Sequence, residues 1–165
     1  THKMFKKGST LLLKATLLVM ALIVLAISIF AFPSLYTGLN ADFPMAAKAI
    51  LVIITVLYAV TIPYFFVLWQ SWKLLTLIDQ NLGFSAFSIQ AFRNIKLASL
   101  VGGILLMVGF VPFLFPIAEA DDAPGLIIYG FFVACIPFVV SVFAAILEML
   151  FQNALQMKKE NDLTI

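Results

Sequence analysis

The residues able to do chemistry are few and lie far apart along the chain. Glu119, Asp121 and Asp122, with Asp42 as a candidate fourth, form the densest acidic group, and carboxylate oxygens are hard ligands of the kind that hold an external Ca²⁺. They lack the ligand spacing of a calcium loop, and Pro124 with Gly125 follows at once, so an ordinary solvated turn is the favoured reading. Lys14 and Glu148 each border a long apolar run. Lys14 would snorkel to the interface and Glu148 would reach water or Lys14, a structural pair in preference to a proton relay. Cys135 is the single cysteine and sits among apolar residues, which suits a small buried hydrophobe. The single histidine, His2, belongs with Thr1 and Lys3 to a stretch ahead of the native-looking start at Met4; residues 1–3 are expected to derive from an expression vector. No nucleophile stands with a base, no ligand set has metal spacing, and there is no phosphate-binding glycine loop or basic, aromatic-rich module. The expectation is a non-enzyme with no cofactor, no metal and no direct contact with nucleic acid.

What remains is an apolar frame. Of 165 residues, 64% are hydrophobic and 11% charged, with a mean hydropathy of +1.13; soluble domains carry about 25% charged residues. No Asp, Glu, Lys, Arg or His occurs between Lys14 and Asp42, from Ala49 to Trp72, from Leu97 to Ala118, or from Ala123 to Leu147. Each run matches the roughly 20 apolar residues that cross a hydrocarbon core as a helix. The first is too long for the apolar part of a signal peptide and is expected to stay as an anchor. Residues 4–165 therefore predict one all-α, polytopic membrane domain with four transmembrane helices, at about 11–35, 49–72, 97–118 and 123–147. The partner this dictates is the lipid bilayer, and the expected location is a membrane crossed several times. Proline at 33, 63, 112, 116 and 137 should kink or end helices, with kinks expected in spans two and four. Ala98 with Gly102 and Ser99 with Gly103 are small pairs four apart that let another helix come close; packing within the chain is favoured over a homo-oligomer seam.

Nine of the ten Lys and Arg lie before the first span, between spans two and three, or after the fourth; Lys48 is the exception. The positive-inside tendency then puts the N-terminus, the C-terminus and the middle loop in the cytoplasm. That loop, 73–96, predicts structure of its own. Leu74 to Leu82 prolong span two, Asn81 and Gly83 stop it, and a new helix begins with Ser85 as N-cap and Phe84 stapled to Ile89. In the tail, 148–165, the fourth helix is expected to end near Lys158 and Lys159. Asn161, Asp162, Leu163, Thr164 and Ile165 would follow as a frayed end, or as a segment able to add a strand to a partner's sheet.

Three segments carry a family resemblance: Met4 to Lys14, with its Lys-Lys-Gly-Ser-Thr start; Phe84, Ser85, Ser88, Ile89, Ala91, Phe92, Asn94, Ile95 and Lys96 in the loop; and the ending from Lys159 to Ile165. Together they resemble the YoaS-like family of small bacterial four-span membrane proteins, a family of unknown function. Members are typically encoded beside a small helix-turn-helix regulator of the Cro/CI type. The resemblance thus implies a regulatory or sensory membrane partner, an anti-repressor that sequesters such a regulator. The implied contact residues are Phe84, Ser85, Ser88, Phe92, Arg93, Asn94 and Lys96 in the loop and Asn161 to Ile165 in the tail. The alternative is a small transporter or channel, suggested by four proline-bearing spans. Topology is directly testable: a fluorescent protein fused after Ile165 should fluoresce, and alkaline phosphatase fused after Asp121 should be active, the reverse pattern overturning the orientation.

Overall fold

Peptide groups in lipid find no water, so each must be satisfied within its own helix or by a neighbouring side chain. The structure, a computed structural model that describes the backbone of residues 2–164 and the side chains of residues 8–164, is helical nearly throughout. Helix α1 (His2–Ala26) passes through one wide turn (Ile27–Ala31) into α2 (Phe32–Asp42). A 3-10 turn (Pro44–Ala46) leads to α3 (Ala47–Asp79); α4 (Ala86–Gly109) is followed by a second 3-10 turn (Pro112–Leu114), α5 (Phe115–Ala120) and α6 (Gly125–Leu163). Four stretches are long and apolar enough to cross a membrane: Gly8–Asp42, Pro44–Asp79, Ala86–Ala120 and Gly125–Leu163. The first three helices run past both expected bounds and the fourth, which starts at Gly125, runs past its expected end, because a charged residue at a span's edge does not stop a helix.

The prolines interrupt helices at some positions and are carried within them at others. Pro63 and Pro137 sit inside α3 and α6, which continue unbroken around them. The interruptions fall at Pro33 and Pro112. Ahead of Pro33 the helix widens, and the Phe32 N–H reaches the Ile27 carbonyl five residues back. The next bond of that pattern, to the Ser28 carbonyl, would need the N–H that Pro33 lacks. The Tyr58 hydroxyl, from α3, donates to that carbonyl instead, at 2.8 Å. A second tyrosine, Tyr64, donates to the Met20 carbonyl, so α1 and α3 are joined at two levels.

Two helix ends close by the same device. Leu82 N–H bonds to the Leu77 carbonyl and Asn81 N–H to Ile78, with Asn81 at φ 59°. Ala123 N–H bonds to Ala118 and Asp122 N–H to Glu119, with Asp122 at φ 50°. Both are Schellman endings, and both use the short polar side chains that tolerate the left-handed region in place of glycine. The stop after α3 is therefore Asn81, while Gly83 has no positive φ. Ser85 does occupy the N-cap position of α4, but its hydroxyl donates backwards to the Leu82 carbonyl and leaves the first-turn amides uncapped.

Helix α4 is the middle of the bundle, packed extensively against both α3 and α6, while α1 packs chiefly on α3. In lipid, helices gain nothing by hiding apolar surface from each other, so close van der Waals fit and interhelical hydrogen bonds decide the packing. Ser99, Gly102 and Gly103 are buried on α4. A Cβ on Gly102 would meet Pro63 at 3.8 Å and Pro137 at 4.0 Å, and one on Gly103 would lie 2.8 to 3.0 Å from three ring atoms of Phe138. The small-residue pairs thus serve the intrachain seams. Above and below lie two apolar clusters, one around Ile50, Ile53, Leu114 and Ile117, the other around Leu74, Ala91, Ile95 and Ala144. Gly103→Ala should destabilise the fold by about 1–3 kcal/mol through overpacking. Gly125→Ala, with nothing within 4 Å, should be close to neutral; thermal unfolding in detergent compares the two.

Candidate functional site

The ion pairs among the described residues gather at one end of the bundle. Glu148 of α6 is the centre, its side chain 8% exposed, with Arg93 Nε at 3.0 Å and Lys96 Nζ at 2.7 Å, both from α4. One level away, Lys14 of α1 approaches the Asp79 carboxylate of α3 at 3.3 Å, and Thr10 donates to the same carboxylate. Lys14 also lies over the Trp72 ring, and Lys73 stands 3.9 Å from the centre of the Trp69 ring. Lysine heads above tryptophan rings mark the level at which hydrocarbon gives way to headgroups.

The positions follow from antiparallel geometry. Lys14 is the last charge before the first apolar run and Asp79 the first acid after the second, so a helical hairpin brings them to one height. Arg93 and Lys96 are three apart and share a face of α4, which meets Glu148 at the end of the fourth apolar run. The expected Lys14–Glu148 pair is therefore replaced by two separate sites, because α1 packs on α3 while α6 packs on α4. Asp79 carried no sequence signal beyond its place at the hairpin's end.

Around these pairs runs a polar seam. Gln90 Nε2 donates to Asn94 Oδ1 at 3.0 Å, Asn94 Nδ2 lies 3.4 Å from Gln70 Oε1, and the Ser141 hydroxyl donates to the Lys96 carbonyl at 2.9 Å. No buried side-chain nitrogen or oxygen among the described residues lacks a partner. On the outer side of the seam a groove of about 370 Å³ opens between α3 and α4, with Lys73, Phe87 and Gln90 on its walls.

The loop residues singled out by sequence divide into two groups. Ser88 is fully buried and donates to the Leu82 carbonyl; Phe92 meets Phe151 edge-on at 4.7 Å; Lys96 and Asn94 hold the seam. Their contacts lie within the chain. Phe84, 53% exposed and 5.0 Å from Phe151, and Arg93, whose side chain is 46% exposed, do reach the surface, as does Ser85. Phe87, exposed beside them, was not singled out. In the tail, α6 does not end near Lys159 but continues to Leu163, so Asn161, Asp162 and Leu163 are helical and do not form a strand. The physical reason is local: no glycine or proline follows Lys159, and Gln156 reaches Glu160 one turn on. Thr164 donates to the Glu160 and Asn161 carbonyls, while Ile165 lies outside the described residues.

At the opposite end, Glu119, Asp121 and Asp122 are exposed, and Asp122 is accounted for as the left-handed residue of its helix ending. Among the described residues no three His, Cys, Asp or Glu side chains come together as a metal site would require. Cys135 is half-buried and free.

Four long apolar helices with a belt of ion pairs and tryptophans at one end define a multi-pass membrane protein. The family model described as "Protein of unknown function (DUF2975)" matches residues 34–165. The chain is 38% identical over 157 residues to the "Uncharacterized membrane protein YoaS" of Bacillus subtilis (strain 168), a match spanning 95% of this chain and 98% of the relative. It belongs to that YoaS-like, DUF2975 family. No solved structure matches it.

Removing the central carboxylate leaves two cations facing one another at the edge of lipid. Their partial exposure softens a penalty that reaches about 3–5 kcal/mol for fully buried pairs. Glu148→Gln should cost roughly 1–3 kcal/mol, and Lys96→Met on that background should recover part of it; unfolding midpoints of the two variants in detergent decide.

Proposed function

We propose that this chain is a regulatory membrane partner. Four spans anchor it in the bacterial cytoplasmic membrane with both termini and the α3–α4 elbow in the cytoplasm, and the elbow with the end of α6 docks a small Cro/CI-type helix-turn-helix regulator. The observation that carries this reading is the length of α6. Helix α6 continues for fifteen residues after Glu148, through Leu163, about 22 Å of helix past the belt of ion pairs. Its apolar side chains Met157 and Leu163 stay exposed, the latter at 85%. Phe84 and Phe87 are exposed at the same end. Large apolar side chains beyond the hydrocarbon are the kind of surface that a protein partner covers.

Orientation is supported by the distribution of Lys and Arg, nine of ten of which fall on the elbow's side of the four spans. The contact residues are accordingly redrawn from the resemblance: Phe84, Phe87 and Arg93 in the elbow, and Asn161, Asp162 and Leu163 on α6. Ser88, Phe92, Asn94 and Lys96 position them from beneath. A transporter or channel would keep ionisable groups along a mid-membrane path, and the four apolar runs carry none. The role assigned here is binding, with no chemical step.

Co-expression of the tagged chain with the neighbouring small DNA-binding protein, followed by purification in detergent, tests the proposal. The two should co-purify, and removal of residues 161–165 or the double change Phe84→Ala with Phe87→Ala should lower recovery of the regulator roughly tenfold or more. A monodisperse membrane protein that retains no regulator would overturn it.

A further inference from the structure

Because α1 rests on α3 and α6 on α4, the two outer helices wall a cleft floored by α3 and α4. Its inner stretch, about 360 Å³, runs from Val60, Gly102 and Ile136 to Leu17 and Ser71. A second stretch of about 300 Å³ shares Leu17 and Ser71 and continues to Ile78, Phe92 and Phe151. Along α3 the whole cleft covers residues 60 to 78, about 27 Å at about 1.5 Å per residue.

The lining is apolar apart from the hydroxyls of Thr16, Tyr64, Ser71 and Ser99, and the first three are engaged by backbone carbonyls. The Ser71 hydroxyl donates to Val67, that of Thr16 to Leu12 and that of Tyr64 to Met20. A long apolar groove of this volume suits one unbranched hydrocarbon chain. The groove's length exceeds the roughly 15 Å of one leaflet's hydrocarbon, so a chain entering at the elbow end fits fully.

Charge distinguishes the two ends. The inner stretch is lined by no Asp, Glu, Lys, Arg or His, while the elbow end holds Lys14, Lys73, Arg93 and Lys96 against Asp79 and Glu148. Lys14 stands one turn from Leu17. We propose that the cleft between α1 and α6 binds one acyl chain of an anionic phospholipid, whose headgroup phosphate lies at the elbow end near Lys14. The site does not depend on which side of the membrane the elbow faces, nor on the docking of a regulator.

Native mass spectrometry of the full chain, released from detergent after incubation with equal phosphatidylglycerol and phosphatidylethanolamine, reads the occupancy. The wild type should retain one phosphatidylglycerol in preference to phosphatidylethanolamine by at least fivefold. Leu17→Phe on the α1 wall and Val140→Phe on the α6 wall should each lower that occupancy at least fivefold, while Leu12→Phe, outside the cleft, should not. Two filling variants on different helices guard against one failing to fold. Wild-type protein that retains no lipid, equal retention of both lipids, retention unchanged by either filling change, or a lipid-free dimer would overturn the proposal.

Discussion

Everything in this bundle turns on how closely α4 lets its neighbours approach. Ser99, Gly102 and Gly103 remove side-chain bulk from two faces of one helix, and the space is taken by Pro63 of α3 and by Pro137 and Phe138 of α6. In a solvent as apolar as the side chains themselves, this fit is what holds three helices together. It also sets the outline of the rest. With α3 and α6 drawn onto α4, α1 leans mainly on α3, and no residue in the most apolar stretch of the first spanning helix is buried. The cleft between α1 and α6 follows from that unequal sharing.

Backbone satisfaction is the second constraint, and it explains where the chain is irregular. Pro33 withholds an N–H, the helix widens by one residue, and Tyr58 supplies the missing donor from α3. The tyrosine thereby does two jobs, because its ring also meets Phe32 edge-on at 5.1 Å. Asn81 and Asp122 end helices at the water-facing turns with no glycine. Such substitutions cost little there, since a short polar side chain can adopt the left-handed conformation.

At the charged end, electrostatics and packing act on the same residues. Glu148 is buried because two cations meet it, and the cations are held in place because they extend from a helix already fixed by its glycines. Phe92, Phe84 and Phe151 then close the elbow against α6, which sets the direction in which α6 leaves the bundle. A rigid elbow and a projecting helix are two halves of one surface.

The loop and tail show how much of this was legible in the residues. Charge-free runs announced four spans, Asn81 announced the end of α3, and Ser85 announced the start of α4, all through local rules of hydropathy and backbone conformation. Pairing was not legible in the same way: Lys14 with Asp79, Arg93 and Lys96 with Glu148, and Asn94 with Gln70 depend on which helix lies beside which. The tail misled because its alternation of polar and apolar residues suits a strand as well as a helix end. By itself the sequence determined the class of protein, the number of crossings and the end at which charge would collect, because a bilayer penalises each unsatisfied peptide group and each charge wherever it falls. Only the tertiary structure decided the partners of those charges, the residues left exposed at the elbow and on α6, and the existence of the cleft. These depend on interhelical distances set by side-chain volumes from segments far apart in the chain, and no local pattern encodes them.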